Sequence, residues 1–302
     1  MYDVVIIGGG PAGLTAAIYT GRARLKTLVL EAAMVGGNAA RTDQIDNYPG
    51  FPFGINGSNL MESFQKQAER FGAEIRMEEV LGIDENSPAG KKVITTESEY
   101  LARAVIIAVG ARRRELDADG EQEFLGRGVS YCATCDGAFF HGVPVAVVGG
   151  GDSAVKEALY LADIASKVYL IHRREQFRAN QTAVDKMLAS ERIELKLNKV
   201  VKRVEGDALM KRLILQDVHS EAEEILEVEG LFVSIGLVSG ADFSANIVDT
   251  EEGYIITSDK MNTSTSGIFA AGDVRVKKER QVATAVGDGA LAGIAVTEYL
   301  KE

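Results

Sequence analysis

The stretch Asp3–Glu31, "DVVIIGGGPAGLTAAIYTGRARLKTLVLE", decides the fold. A β-branched run enters Gly8-x-Gly10-x-x-Gly13, an Ala/Leu/Ile-patterned helix follows, and a second apolar strand stops at the acid Glu31. This is a βαβ dinucleotide fingerprint. Its glycines allow a tight turn and close backbone approach to a pyrophosphate, and the helix amino end offers free N–H groups and partial positive charge. Glu31 stands where a carboxylate accepts from ribose hydroxyls.

The unit returns at Val145–His172, "VAVVGGGDSAVKEALYLADIASKVYLIH". An ungapped shift sets Gly8 on Gly149, Gly10 on Gly151, Gly13 on Ala154 and Glu31 on His172. One glycine fingerprint is weak, because glycine turns are common; two with the same spacing to the strand end are far stronger. Each half also closes on a buried-strand pattern ending in glycine, "AVIIAVG" to Gly110 and "GLFVSIG" to Gly236. The expected fold class is α/β, with two Rossmann-like dinucleotide-binding domains. The copies differ where nucleotide choice is set. Glu31 suits a free ribose diol and repels a 2′-phosphate, whereas the second strand runs into "HRREQFRAN", with Arg173, Arg174 and Arg178. Guanidinium forks suit phosphate, so the second copy is expected to prefer NADPH over NADH; the competing reading is a solvated surface turn.

Composition agrees with two domains: 302 residues are enough for two separate cores. A net charge of −11 with no long basic block argues against nucleic acid or an anionic membrane as the main partner. No apolar run approaches a bilayer span, and the chain enters its first strand at Tyr2 without a signal-like leader, so a cytoplasmic protein is expected.

The two cysteines of the chain stand in "YCATCDGAFF", Tyr131–Phe140. Zinc needs about four ligands, and beyond Cys132 and Cys135 there are three scattered histidines, of which His141 alone is close. A structural disulfide over so short a loop stabilises little and does not suit a reducing compartment. A redox Cys-x-x-Cys remains, with Asp136 beside it as an acid and base, or simply as a helix N-terminal acid. Further on, a strand near Gly267–Ala271 runs into Gly272-Asp273, and a helix is expected from about Gln281. Its small residues suit close packing on a sheet or cofactor.

These motifs in this order resemble the low-molecular-weight bacterial-type thioredoxin reductases along nearly the whole chain. The resemblance implies a homodimeric FAD and NADPH flavoprotein with the NADPH domain inserted into the FAD domain. The implied bounds are 1–113 and 242–302 for FAD and 114–241 for NADPH. By position the FAD contacts are Gly8, Gly10, Pro11, Ala12, Gly13, Glu31, Gly37, Asn38, Asn47, Gly110, Gly272, Asp273, Arg280, Gln281 and Val282. Those to NADPH are Gly151, Asp152, Ser153, His172, Arg173, Arg174 and Arg178. Asn38 stands where many relatives have Gln, and "IGLVSGAD" departs from the usual Pro-Asn after Ile-Gly.

The implied reaction passes hydride from NADPH to FAD and two electrons to the Cys132–Cys135 disulfide. Cys135 then faces the flavin and Cys132 attacks a thioredoxin-like partner, whose potential near −270 mV calls for a strong donor. The family turns its inserted domain about two crossing strands, expected here near Arg113–Leu116 and Gly240–Asp242. Arg127 is a candidate docking charge, or a plain surface arginine. The rival readings on the same fold are a dithiol oxidase, a ferredoxin-fed reductase and a flavin-binding redox sensor. Intact "GGGDSA" and "HRREQFR" disfavour the first two.

Overall fold

Val4 and Ile6 join one apolar cluster and Val5 and Ile7 another, and all four are buried. A strand of that kind belongs in a sheet covered on both faces. Tyr2–Ile7 (β1) is such a central strand. The computed structural model, which describes residues 1–301 apart from 43, 86, 88 and 89, divides into two compact units. One is Met1–Arg112 with Val238–Glu302, the other Arg113–Leu237.

In the first unit β1 is followed by Pro11–Arg22 (α1), Thr27–Glu31 (β2), Gly37–Ala40 (α2) and Gly57–Arg70 (α3). Strands Glu74–Met77 (β3), Val80–Asp84 (β4), Lys91–Thr95 (β5) and Glu99–Ile107 (β6) come next, and Ala111–Arg113 (β7) leads out. The second unit runs through Val129–Ser130 (β8), Ala133–Asp136 (α4), Pro144–Val148 (β9), Asp152–Ala162 (α5), Lys167–His172 (β10), Gln181–Leu188 (α6) and Ile193–Leu197 (β11). An antiparallel meander follows, Lys199–Gly206 (β12), Met210–Asp217 (β13) and Glu223–Glu227 (β14), then Gly230–Val233 (β15). The chain returns along Leu237–Ser239 (β16), which pairs with β7; both crossing strands begin slightly before the crossings expected from sequence. Thr250–Glu251 (β17), Tyr254–Ile255 (β18), Ile268–Ala270 (β19) and Val282–Tyr299 (α7) complete the chain.

The first unit's sheet has the order β3-β2-β1-β6-β5-β4. Strands β1, β2, β3 and β6 are parallel, β4 and β5 antiparallel, and β19 pairs with the far half of β6. The second unit's sheet, β11-β10-β9-β15-β8, is parallel throughout. Both are the doubly wound sheets the repeated fingerprint predicts. Two glycines of α7 allow it to pack closely on α1. A Cβ on Gly289 would lie 2.2 Å from the Ala12 carbonyl oxygen, and one on Gly293 2.7 Å from Tyr19 Cβ. No helix among the described residues is long and apolar enough to cross a membrane.

Candidate functional site

The turn after β1 is built as its glycines require. Gly8 has φ +106°, and a Cβ there would strike the Ala108 carbonyl oxygen at 2.4 Å; in the second unit Gly149 has φ +152° and would strike the Ser234 carbonyl oxygen at 2.2 Å. Above the first turn opens a cleft of about 1230 Å³, larger than the roughly 300–1,000 Å³ of ordinary small-molecule sites. Gly8, Gly10, Pro11, Ala12, Glu31, Gly37, Asn38, Asn47, Gly110, Asp273, Arg280, Gln281 and Val282 all line it. Gly13 and Gly272 do not, and each has a packing reason. A Cβ on Gly13 would meet the Gly8 carbonyl oxygen at 1.9 Å, and one on Gly272 would meet Ala12 Cβ at 2.8 Å. They let the wall form rather than make it.

Within the cleft, Glu31 accepts from the amides of Gly9 at 2.8 Å and Ala33 at 3.0 Å, which fixes its carboxylate at the strand end. Asn38 donates to the Ala111 carbonyl at 2.9 Å, and Asn47 donates to Gln281 Oε1 at 2.9 Å, tying an early loop to the start of α7. Asp273 Oδ1 is buried with no hydrogen-bond partner. Burial raises the Asp273 carboxyl above its ordinary value, and Lys277 and Arg280 oppose that rise.

In the second unit, Gly151 caps α5 and Asp152 and Ser153 open it, both exposed. Asp152 Oδ1 accepts from the Asn180 amide at 2.8 Å, and the Arg178 amide donates to the Gly150 carbonyl at 2.8 Å, so the arginine loop is laced to the glycine turn. Arg173, Arg174 and Arg178 are exposed, and among the described residues none of them makes an ion pair. His172 differs from them. It is buried, stacked on Phe177 at 5.2 Å, with Nε2 3.1 Å from the Gln176 carbonyl oxygen. A Cβ on Gly150 would lie 2.1 Å from its ring. Burial, followed by the nearby arginines, lowers its pKa from the ordinary value.

Cys132 and Cys135 form a disulfide at the carboxyl end of β8, with α carbons 5.3 Å apart. Because β8, β9, β10 and β15 are parallel, this disulfide and the glycine turn share the carboxyl edge of one sheet, where ligands of open α/β sheets bind. The Cys135 amide donates to Cys132 Sγ at 3.2 Å. Ser130 Oγ donates to Asp136 Oδ2 at 2.5 Å and accepts from the Cys132 amide at 3.0 Å, so the acid is fastened to the loop that carries the disulfide. Among the described residues no cluster suited to a metal is present. Arg127 donates to the Glu123 carbonyl and lies over the Phe124 ring, held to its own loop although exposed.

Sequence reasoning missed several of these residues. Glu121, only 2% exposed, accepts from the Leu116 amide with both oxygens at 3.0 Å and from the Tyr131 hydroxyl at 2.7 Å. Burial, reinforced by Glu121, raises the Tyr131 pKa. No local spacing announces this clamp beside Cys132. Ser130 was equally silent. Phe139 had a signal in the doubled Phe139-Phe140: Phe140 packs on Phe232 at 5.2 Å, while Phe139 is 84% exposed.

The comparisons with known proteins bear on this arrangement. The pyridine nucleotide-disulphide oxidoreductase family matches residues 2–289. A thioredoxin reductase of Listeria innocua is 45% identical over 100% of this chain and 95% of its own, and one of Bacillus subtilis 44% identical over 100% and 96%. The chain belongs to the thioredoxin reductases of the pyridine nucleotide-disulphide oxidoreductase family. The solved thioredoxin reductase of Lactococcus lactis, 42% identical, superposes with a TM-score of 0.79 over 100% of this chain and 99% of that one. As in this family, the disulfide of Cys132 and Cys135 is the redox-active one, and the enzyme is a flavin-dependent pyridine nucleotide oxidoreductase.

Proposed function

We propose that the cleft of the first unit holds FAD and the glycine turn of the second NADPH, and that the enzyme delivers electrons through Cys132 and Cys135 to the disulfide of a thioredoxin-like protein. The observation that carries the cofactor reading is Asp273. Its Oδ1 lies buried in the cleft wall without a donor, which costs about 1–3 kcal/mol, and the hydroxyls of a ribityl chain are donors of the kind it lacks. The amino end of α1 faces the same cleft through Gly10 and Pro11 and suits the pyrophosphate. A bound flavin would supply the two-electron relay between a hydride donor and a disulfide.

The chain's own residues do the rest. Reduction breaks the Cys132–Cys135 bond, and two electrons with two protons leave two thiols. The Cys135 amide aimed at Cys132 Sγ favours a thiolate there, which supports Cys132 as the interchange thiol. It attacks one sulfur of the partner's disulfide to form a mixed disulfide. Asp136, which the Ser130 hydroxyl holds in place, takes the proton of the Cys132 thiol and passes it to the other sulfur as that sulfur leaves. Cys135 then resolves the mixed disulfide, restoring the bond to Cys132 and releasing the reduced partner. Exposed Phe139, four positions past Cys135, offers the partner an apolar contact on the same segment of chain. The net charge of −11 disfavours nucleic acid as a partner, and the likeness to the family supports a cytoplasmic homodimer.

Cys135→Ser tests the assignment. The variant, reduced and mixed with an oxidised thioredoxin, is expected to accumulate a mixed disulfide that peptide mass spectrometry maps to Cys132. Absence of any adduct would refute protein disulfide reduction, and an adduct formed only by Cys132→Ser would exchange the two roles.

A further inference from the structure

Asp288 is a lone acid in the small-residue run "VGDGALAG" of α7, where helix packing gives it no evident purpose. Its Oδ1 pairs with Arg275 Nη1 at 2.9 Å, and its Oδ2 accepts from Lys277 Nζ at 2.9 Å and from the Gly272 amide at 3.1 Å. The three charged side chains are only 12–13% exposed. So large a burial of charge is tolerated only when each group is paired, and removing one partner leaves another stranded. Gly272 immediately precedes Asp273, the residue with the unpartnered oxygen in the cleft wall. Of the two cations on Asp288, Lys277 is also the one within electrostatic reach of Asp273, together with Arg280.

We propose that Asp288 is a positioning residue for the cofactor: it fixes the Gly272–Asp273 turn through the Gly272 amide and holds Lys277 off Asp273, leaving Oδ1 of Asp273 free for a cofactor hydroxyl. This rests on the assignment of FAD to the cleft. Lys277 is further restrained by a hydrogen bond to Thr284 Oγ1 at 3.1 Å, and Arg275 by one to Thr257 Oγ1 at 2.6 Å, so the network is anchored on three sides. Without the Asp288 charge, a nearly buried ammonium needs another anion, and Asp273 is the carboxylate in reach. Asp273 would then be spent on the lysine rather than on the cofactor.

The test is FAD affinity of the full chain, stripped of flavin and titrated with FAD while flavin fluorescence is followed. Asp288→Asn is expected to weaken binding about tenfold or more, the loss of one charge-assisted hydrogen bond. Adding Lys277→Met to Asp288→Asn should recover most of that loss, because the competing ammonium is gone. A purely structural role would show no such rescue. If Asp288→Asn binds FAD like the unaltered protein, or if the double variant is no better than the single one, the proposal is overturned. Should Asp288→Asn fail to fold by thermal melting, Lys277→Met alone decides: affinity within about threefold of the original supports the proposal, and a tenfold loss makes the lysine itself a cofactor contact and overturns it. Failure of the unaltered protein to bind FAD would instead remove the cofactor assignment on which the inference stands.

Discussion

Replacing Arg173 and Arg174 together by alanine should reverse much of the nucleotide preference. Both guanidinium groups are exposed and make no ion pair among the described residues, so they are free to meet a 2′-phosphate and are not needed to hold the loop. The loop is held by the Arg178 and Asn180 amides instead, which the substitution leaves intact. A charge-assisted hydrogen bond is worth about 1.5–3 kcal/mol. Solvent screening at an exposed site brings this to the bottom of that range or just below it, about 1–1.5 kcal/mol each. Two such contacts sum to about 2–3 kcal/mol, or roughly 30- to 150-fold in affinity at 1.4 kcal/mol per decade. Steady-state turnover with each nucleotide would show KM for NADPH rising by that factor with kcat little changed, while NADH turnover stays within about twofold. Equal losses with both nucleotides would mean the arginines support the loop rather than read the phosphate. No change with either would return them to an ordinary solvated turn.

Three other outcomes follow from the geometry. Tyr131→Phe removes one of the donors on buried Glu121 and is expected to lower stability by about 1–3 kcal/mol, seen as a lower thermal midpoint; an unchanged midpoint would mean water replaces the hydroxyl. Asp136→Asn should slow transfer from the dithiol to a protein disulfide at least about tenfold while flavin reduction by NADPH keeps its rate, as stopped-flow absorbance would show; equal loss in both half-reactions would remove Asp136 from its role. His172 carries a pH signature. Its folded pKa lies below the unfolded value near 6.5, so below that pH the unfolded chain binds the extra proton, and stability falls as pH drops from about 6.5 toward the folded pKa, by up to about 1.4 kcal/mol per unit. His172→Phe, which can keep the stack on Phe177, should flatten the fall in thermal midpoint between pH 7 and 5, and an identical slope in both proteins would contradict the burial argument.

The fold was legible because its two decisive turns are local. Gly8 and Gly149 each stand in a short strand–turn–helix pattern that the sequence shows directly, and the strands beside them are continuous apolar runs. The fingerprint turn by itself names only Gly8, Gly10 and Glu31 of the cleft wall; the rest of the wall was named from the resemblance. What could not be read depends on contacts between distant segments. His172 occupies the place of Glu31 in the repeat, yet its ring is packed under Gly150 instead of standing open as the arginines do. Glu121 reaches Tyr131 only because the loop after Leu116 folds back, and Asp288 reaches Gly272 only because α7 lies along α1. The meander β12–β14 had no single strong signal, as its short alternating strands carry many charged side chains. The crossing strands were displaced from expectation because their position is set by pairing of β7 with β16, far apart in sequence.

The central claim is that this chain carries electrons from NADPH through a flavin to the disulfide of Cys132 and Cys135. Anaerobic stopped-flow mixing of the purified yellow protein with NADPH or with NADH, followed at the visible flavin band, tests it most directly. The account predicts fast bleaching by NADPH, slow bleaching by NADH, and recovery of the oxidised band when an oxidised thioredoxin is added, with no recovery in Cys132→Ser. If neither nucleotide bleached the flavin, the account would be contradicted at its first step, and a ferredoxin-fed or oxygen-coupled enzyme would take its place.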